Sequence, residues 1–159
     1  MSVTADGQVA HRPRGLTFDE FEPGRRFVTA ARTVTEADVV NFAGVSGDFN
    51  PLHTDACFAA GTPFGGRVAH GMLVAAIATG LANQLGVFEG TTLALVEQLV
   101  RYRGPVRLGD TVHLELEVVA TKPTADGRRG LVTFGAEVRN QEGHTVIDGH
   151  WLLMMRRSA

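Results

Sequence analysis

The sequence predicts an α+β domain in which one buried helix lies on a face of an antiparallel sheet, and three observations carry that prediction. From His70 to about Leu85, the residues Met72, Leu73, Ala75, Ala76, Ile77, Ala78, Leu81, Ala82 and Leu85 make a helix apolar nearly all round. A helix with no polar face is expected to be buried. Four β-rich segments follow it, one of them alternating cleanly with period two. The breaks at Gly104-Pro105, Gly109-Asp110, Pro123 to Gly130 and Asn140 to Gly143 are hairpin chemistry, which should pair these strands antiparallel.

Taken in order, residues 1–15 are polar, unpatterned and carry Pro13, and read as a mobile lead-in to a single domain over residues 16–159. Past the Pro23-Gly24 turn, Arg26 to Thr33 reads as a first strand. Thr35, with Asp38 three positions on, makes a capping pattern for a helix from about Glu36 to Val45, which Gly47 stops. Asp55 to Ala60 has the composition of a short helix, with Thr54 or Asp55 as its cap, before the glycines and proline of 61–66. Beyond the buried helix, Leu93 to Arg103 is β-rich. Thr111 to Thr121 should turn Val112, Leu114, Leu116 and Val118 inward. Val132, Phe134, Ala136 and Val138 repeat that pattern, and the more uniformly apolar Thr145 to Met155 suits the middle of the sheet.

Composition narrows the function classes. The 159 residues, 44% hydrophobic, fill one domain whose core needs no disulfide. A net charge of -2, from 15 basic and 17 acidic residues scattered along the chain, excludes a nucleic-acid footprint. The longest apolar stretch, Gly71 to Ala82, is shorter than the roughly 20 residues that span a bilayer, so no membrane association is expected. With Cys57 as its single cysteine and no leader pattern at its N-terminus, the chain is expected to be cytoplasmic.

The run from Phe42 to Ala59 is the stretch suited to chemistry. Asp48 and His53 stand five residues apart, and Asn50-Pro51 between them forbids one continuous helix, so both side chains are expected on one shaped loop. A carboxylate and an imidazole held together form an acid–base pair able to hold a single water. Gly71, at the start of the buried helix, lets a carbonyl approach closely and presents its amide at the positive end of the macrodipole.

Phe42, Ser46, Gly47, Asp48, Asn50, Pro51, Leu52, His53 and Ala59 fill, without a departure, the signature of the MaoC-like or R-specific enoyl-CoA hydratase family, which this segment resembles. The resemblance continues through Val68-Ala69-His70-Gly71-Met72-Leu73 and more loosely through Tyr102 to Asp110, and covers about Thr17 to Arg156. It implies a hotdog fold, in which the sheet curls around the helix, and a homodimer joined sheet to sheet. It implies reversible hydration of trans-2-enoyl thioesters to R-3-hydroxyacyl thioesters, with Asp48 and His53 activating one water and the Gly71 amide holding the thioester oxygen. The acyl carrier would be coenzyme A or an acyl carrier protein, and no cofactor is implied. Thr79 falls at a family position where a small hydroxyl residue hydrogen-bonds the catalytic carboxylate, which implies a supporting role. Asn50 would orient the loop and Ser46 its entry.

Rival readings attach to the same residues. Singly, Asp48 is a turn cap and His53 a structural histidine; within the whole signature they are catalytic. His70 reads as a helix-start residue satisfying backbone groups rather than a second base, and Cys57 as a small buried hydrophobe rather than a nucleophile. Asp48, His53 and Asp55 lack the further converging donors of a metal site, so no metal is expected. Phe49, Phe58 and Phe64 either line an acyl tunnel or simply pack, and Arg67, Arg101, Arg103 and Arg107 either meet phosphates or are solvated. A hotdog thioesterase and a non-catalytic acyl-thioester binding protein are the alternative functions.

Overall fold

The computed structural model describes Ser2–Val3, Val9–Ala10 and residues 14–158. The lead-in expected over residues 1–15 therefore lies mostly outside the described residues. Within it, β1 (Ser2–Val3) pairs antiparallel with β2 (Val9–Ala10). Arg14 and Gly15 are fastened to Glu89, by a guanidinium–carboxylate bond of 2.9 Å and a backbone bond of 2.9 Å.

The expected first strand is two strands, β3 (Arg26–Val28) and β4 (Arg32–Thr33), both antiparallel to β6 (Thr111–Pro123). Thr29 is the reason for the break. Its amide donates to the Leu114 carbonyl at 3.0 Å while its hydroxyl accepts the Leu114 amide at 2.9 Å, so a side chain stands in for a backbone carbonyl in the ladder. Helix α1 (Glu36–Ser46) follows, opened by a full Thr35/Asp38 capping box and closed by Gly47 at φ 75°, a left-handed cap that glycine adopts without Cβ strain. Two short helices succeed it. In α2 (Pro51–Thr54) Asn50 caps the first turn, and in α3 (Ala56–Ala60) the Asp55 carboxylate accepts from Cys57 N and Phe58 N.

Helix α4 (Gly71–Gln84) lies on one face of the main sheet, formed by β3, β4, β5 (Thr92–Tyr102), β6 (Thr111–Pro123), β7 (Arg129–Asn140) and β8 (Thr145–Arg156). The strand order is β3-β6-β7-β8-β5, with every pairing antiparallel, and the apolar β8 runs inside the sheet. Leu73, Val74, Ile77, Ala78 and Leu81 of α4 share one core with Leu114, Leu116, Val132, Phe134, Trp151 and Leu153 of the sheet. This is the hotdog architecture, a sheet wrapped on a central helix.

Two expectations change here. The breaks between 104 and 110 do not form a hairpin, because β5 pairs with β8 and the chain crosses the end of the sheet before β6 begins. That crossover is held to the segment before α4 by the Ala69 amide on the Val106 carbonyl at 2.8 Å and by an isolated bridge between Val68 and Arg107. Nor is α4 buried all round, since Met72, Ala76, Gly80 and Asn83 form an exposed stripe at helical spacing.

Candidate active site

The end of α1, the 47–56 segment, the N-terminus of α4 and the β5–β6 crossover enclose a cleft of about 750 Å³. That volume suits a small-molecule ligand. Asp48, His53, His70 and Gly71 line it, with Phe42, Phe64, Val68 and Pro105 among the apolar walls. Phe49 and Phe58 are exposed and take no part in the lining.

Local hydrogen bonds shape the loop that carries Asp48. The Ser46 hydroxyl donates to the Phe42 carbonyl at 2.7 Å and accepts the Asp48 amide at 3.1 Å. The Asp48 carboxylate accepts the Asn50 amide at 3.2 Å, an Asx turn, and the Asn50 side chain accepts from Leu52 N at 3.0 Å to start α2. Pro51 at the first helical position costs α2 nothing, because its missing N–H would have had no intrahelical partner. His53 thus stands on a short helical turn, while Asp48 stands on the extended segment before it.

His53 Nδ1 lies 2.7 Å from the Val68 carbonyl. A carbonyl only accepts, so Nδ1 carries the proton and Nε2 is left for proton transfer. Asp48, His53 and His70 each bring a ligand-type atom within 4.8 Å of the others. His70, not Asp55, completes this set, because the Asp55 carboxylate is spent on capping α3. The His53 and His70 rings are 3.9 Å apart between centroids and tilted by 32°, and Phe42 packs on His70 at 5.1 Å. His70 sits at the N-cap of α4 yet makes no side-chain cap bond; its Nε2 donates instead to the Asp48 carbonyl at 2.9 Å. The backbone group it satisfies belongs to the Asp48 loop, not to the helix it begins.

With no capping side chain, the first-turn amides of α4 keep their positive character at the cleft, Gly71 among them. A Cβ there would come 2.5 Å from the Tyr102 ring, so glycine lets that ring lie against the start of α4 where any side chain would displace it. Thr79 lies two turns further along and donates to the Ala76 carbonyl of its own helix at 2.7 Å. It does not line the cleft, and the hydrogen bond to Asp48 that its sequence position implied is not made within this chain. The rise along a helix explains the gap, since eight residues carry Thr79 about 12 Å from Gly71.

Of Arg67, Arg101, Arg103 and Arg107, only Arg103 lines the cleft, and the first three have acidic partners. Arg67 bonds Glu36 at 2.8 Å and holds that carboxyl below its ordinary range, while Arg101 and Arg103 pair with Asp148. Among the described residues Arg107 has no side-chain partner.

A hotdog sheet on a central helix, with a carboxylate and an imidazole in a cleft at that helix's N-terminus, defines a hotdog-fold enzyme. The chain belongs to the MaoC-like domain family, whose model matches residues 20–140. It is 34% identical to the 3-hydroxybutyryl-CoA dehydratase of Methylorubrum extorquens over 88% of this chain and 84% of that one. It is 32% identical to the (R)-specific enoyl-CoA hydratase of Rhodospirillum rubrum over 96% of this chain and 97% of that one. Among solved structures, the monoamine oxidase regulatory protein from Archaeoglobus fulgius is similar at a TM-score of 0.85 and 35% identity, over 91% of this chain and 97% of that one. The chain is a hydro-lyase of this family.

Among the described residues no helix is long and apolar enough to cross a membrane.

Proposed function

We propose that this protein adds water reversibly across the double bond of trans-2-enoyl thioesters to give R-3-hydroxyacyl thioesters. The observation that carries the reading is the approach of the Asp48 carboxylate and the His53 imidazole to within 4.8 Å in one cleft with Gly71. Two hydrogen bonds of about 2.8 Å meeting at a water oxygen span roughly 4.6 Å, so one water fits between the two groups. Asp48 takes a proton from that water as its oxygen bonds to C3, and the pair returns a proton to C2. Delivery of both from one side fixes the configuration of the product. The Gly71 amide, at the positive end of α4, stabilises the charge that develops on the thioester oxygen.

The relatives described above are named for coenzyme A thioesters, so enoyl-CoAs are the substrates to assay; a carrier-protein thioester presents the same arm. Turnover with short and medium trans-2-enoyl-CoAs, with hydration and thiol release followed in parallel and the product resolved by chirality, tests the reading. R-3-hydroxyacyl-CoA without thiol release is the expected result. Predominantly S product would overturn it, thiol release without hydration would favour a thioesterase, and retained acyl thioester without turnover would favour a binding protein. Cys57, expected to be buried, is exposed because it lies on the outer side of the short helix α3, and its free thiol together with the acyl-thioester chemistry supports a cytoplasmic setting.

The working unit we propose is a homodimer. Strand β5 is a long sheet edge with exposed Leu93, Leu95 and Val96, whereas the opposite edge is made of two short strands bearing Arg26 and Arg32. Such an apolar edge invites pairing. The exposed α4 stripe adjoins it through Met72, whose sulfur accepts from the Tyr102 hydroxyl at 3.2 Å. A second copy related by a two-fold axis covers both surfaces and closes the assembly. Sedimentation equilibrium at micromolar concentration is expected to give twice the chain mass, and an active monomer would refute the assembly.

A further inference from the structure

We infer that His70 is a positioning residue that locks the Asp48 loop and the His53 ring onto the N-terminus of α4. The inference rests on the hydration reading above and deepens it. The hydrogen bonds that Asp48 makes with Ser46 and Asn50 are local, and they tie it only to residues that would move with it. The bond from His70 Nε2 to the Asp48 carbonyl crosses 22 residues and joins that loop to the residue next to Gly71. His53 is tied to the same region from the other side, through Nδ1 to the Val68 carbonyl, and its ring lies against that of His70. One side chain therefore relates the carboxylate, the imidazole and the first amide of α4 to one another.

The state of the His70 ring follows from its surroundings. The residue is 2% exposed, and its Nδ1 is buried without a hydrogen-bond partner among the described residues. Donation to a carbonyl requires the proton on Nε2. Nε2 of His70 is thus committed as a donor to the Asp48 carbonyl, which suits the residue to positioning. A misplacement of about 1 Å in a reacting group can cost roughly 100-fold in rate, which makes this anchor matter for turnover more than for substrate binding.

Two substitutions separate the bond from the ring. In His70→Gln the side-chain amide reaches the place of Nε2 and can donate to Asp48, whereas His70→Phe keeps a flat ring and loses the donor. His70→Phe is expected to lower kcat by about 10–100-fold with KM changed by less than about threefold, and His70→Gln to restore kcat to within about threefold of wild type. Long-range proton–nitrogen spectra of the wild-type protein should show a proton on Nε2 of His70. A His70→Phe protein with wild-type kcat, equal losses in both variants, or a His70 without a proton on Nε2 in an active wild type would each overturn the positioning role alone. A wild type with the expected Nε2 proton but without hydratase turnover would overturn the proposed function and this role together.

Discussion

Asp48→Asn is expected to lower kcat by about 10²–10⁴, equivalent to roughly 3–5 kcal/mol of transition-state stabilisation, while the protein stays folded. The exchange keeps the size of the side chain, and its amide oxygen can still accept the Asn50 N–H that forms the turn. What is lost is the base. Circular dichroism and thermal unfolding close to wild type, together with the fall in kcat, are the measurements. A near-wild-type rate for this variant would refute the role of Asp48, whatever the product.

His53→Ala is expected to cost a similar 10²–10⁴ in kcat. This substitution also removes the bond from Nδ1 to the Val68 carbonyl, so a loss of rate alone could arise from a loosened loop. His53→Asn resolves that ambiguity, because its amide nitrogen can occupy the place of Nδ1 and donate to Val68 while nothing replaces Nε2. Equal losses in the two variants are expected, and recovery in His53→Asn would assign His53 a structural role only. Because the pair acts on one water, Asp48→Asn/His53→Ala should be little slower than either single variant. Multiplied losses in the double variant would mean that the two groups act in separate steps.

Much of the scaffold of the site was legible because its signals are local. Thr35 with Asp38, Gly47, Pro51 and Asp55 each act on amides within four residues, through a cap, a left-handed turn or a fixed φ, and each works in the fold as the sequence implies. The inward alternation of Val112, Leu114, Leu116 and Val118 was equally plain, since period two is a property of the strand itself. His70 was singled out, but its target was not: sequence names a residue that satisfies backbone groups, and only the fold shows that the group lies 22 positions away on the Asp48 loop. The signal that could have found it is the unbroken block from Val68 to Gly71, in which a histidine stands where a helix would ordinarily take Ser, Thr, Asp or Asn.

By itself, then, the sequence determined helices α1, α3 and α4 and the four long strands in their order, the segment that bears Asp48 and His53, and the glycine that opens α4, but not the short helix α2. Tertiary structure decided which edge of the sheet β5 occupies, where the first strand breaks, that α4 keeps an exposed stripe, and that Thr79 turns to its own helix instead of to Asp48. The division has one physical cause. Caps, turns and strand alternation are set by the dihedral preferences and hydrogen bonds of a few neighbouring residues. Strand partners and the aim of a side chain depend instead on contacts closed across large stretches of chain, where many arrangements share the same local pattern and the packing of the common core selects among them.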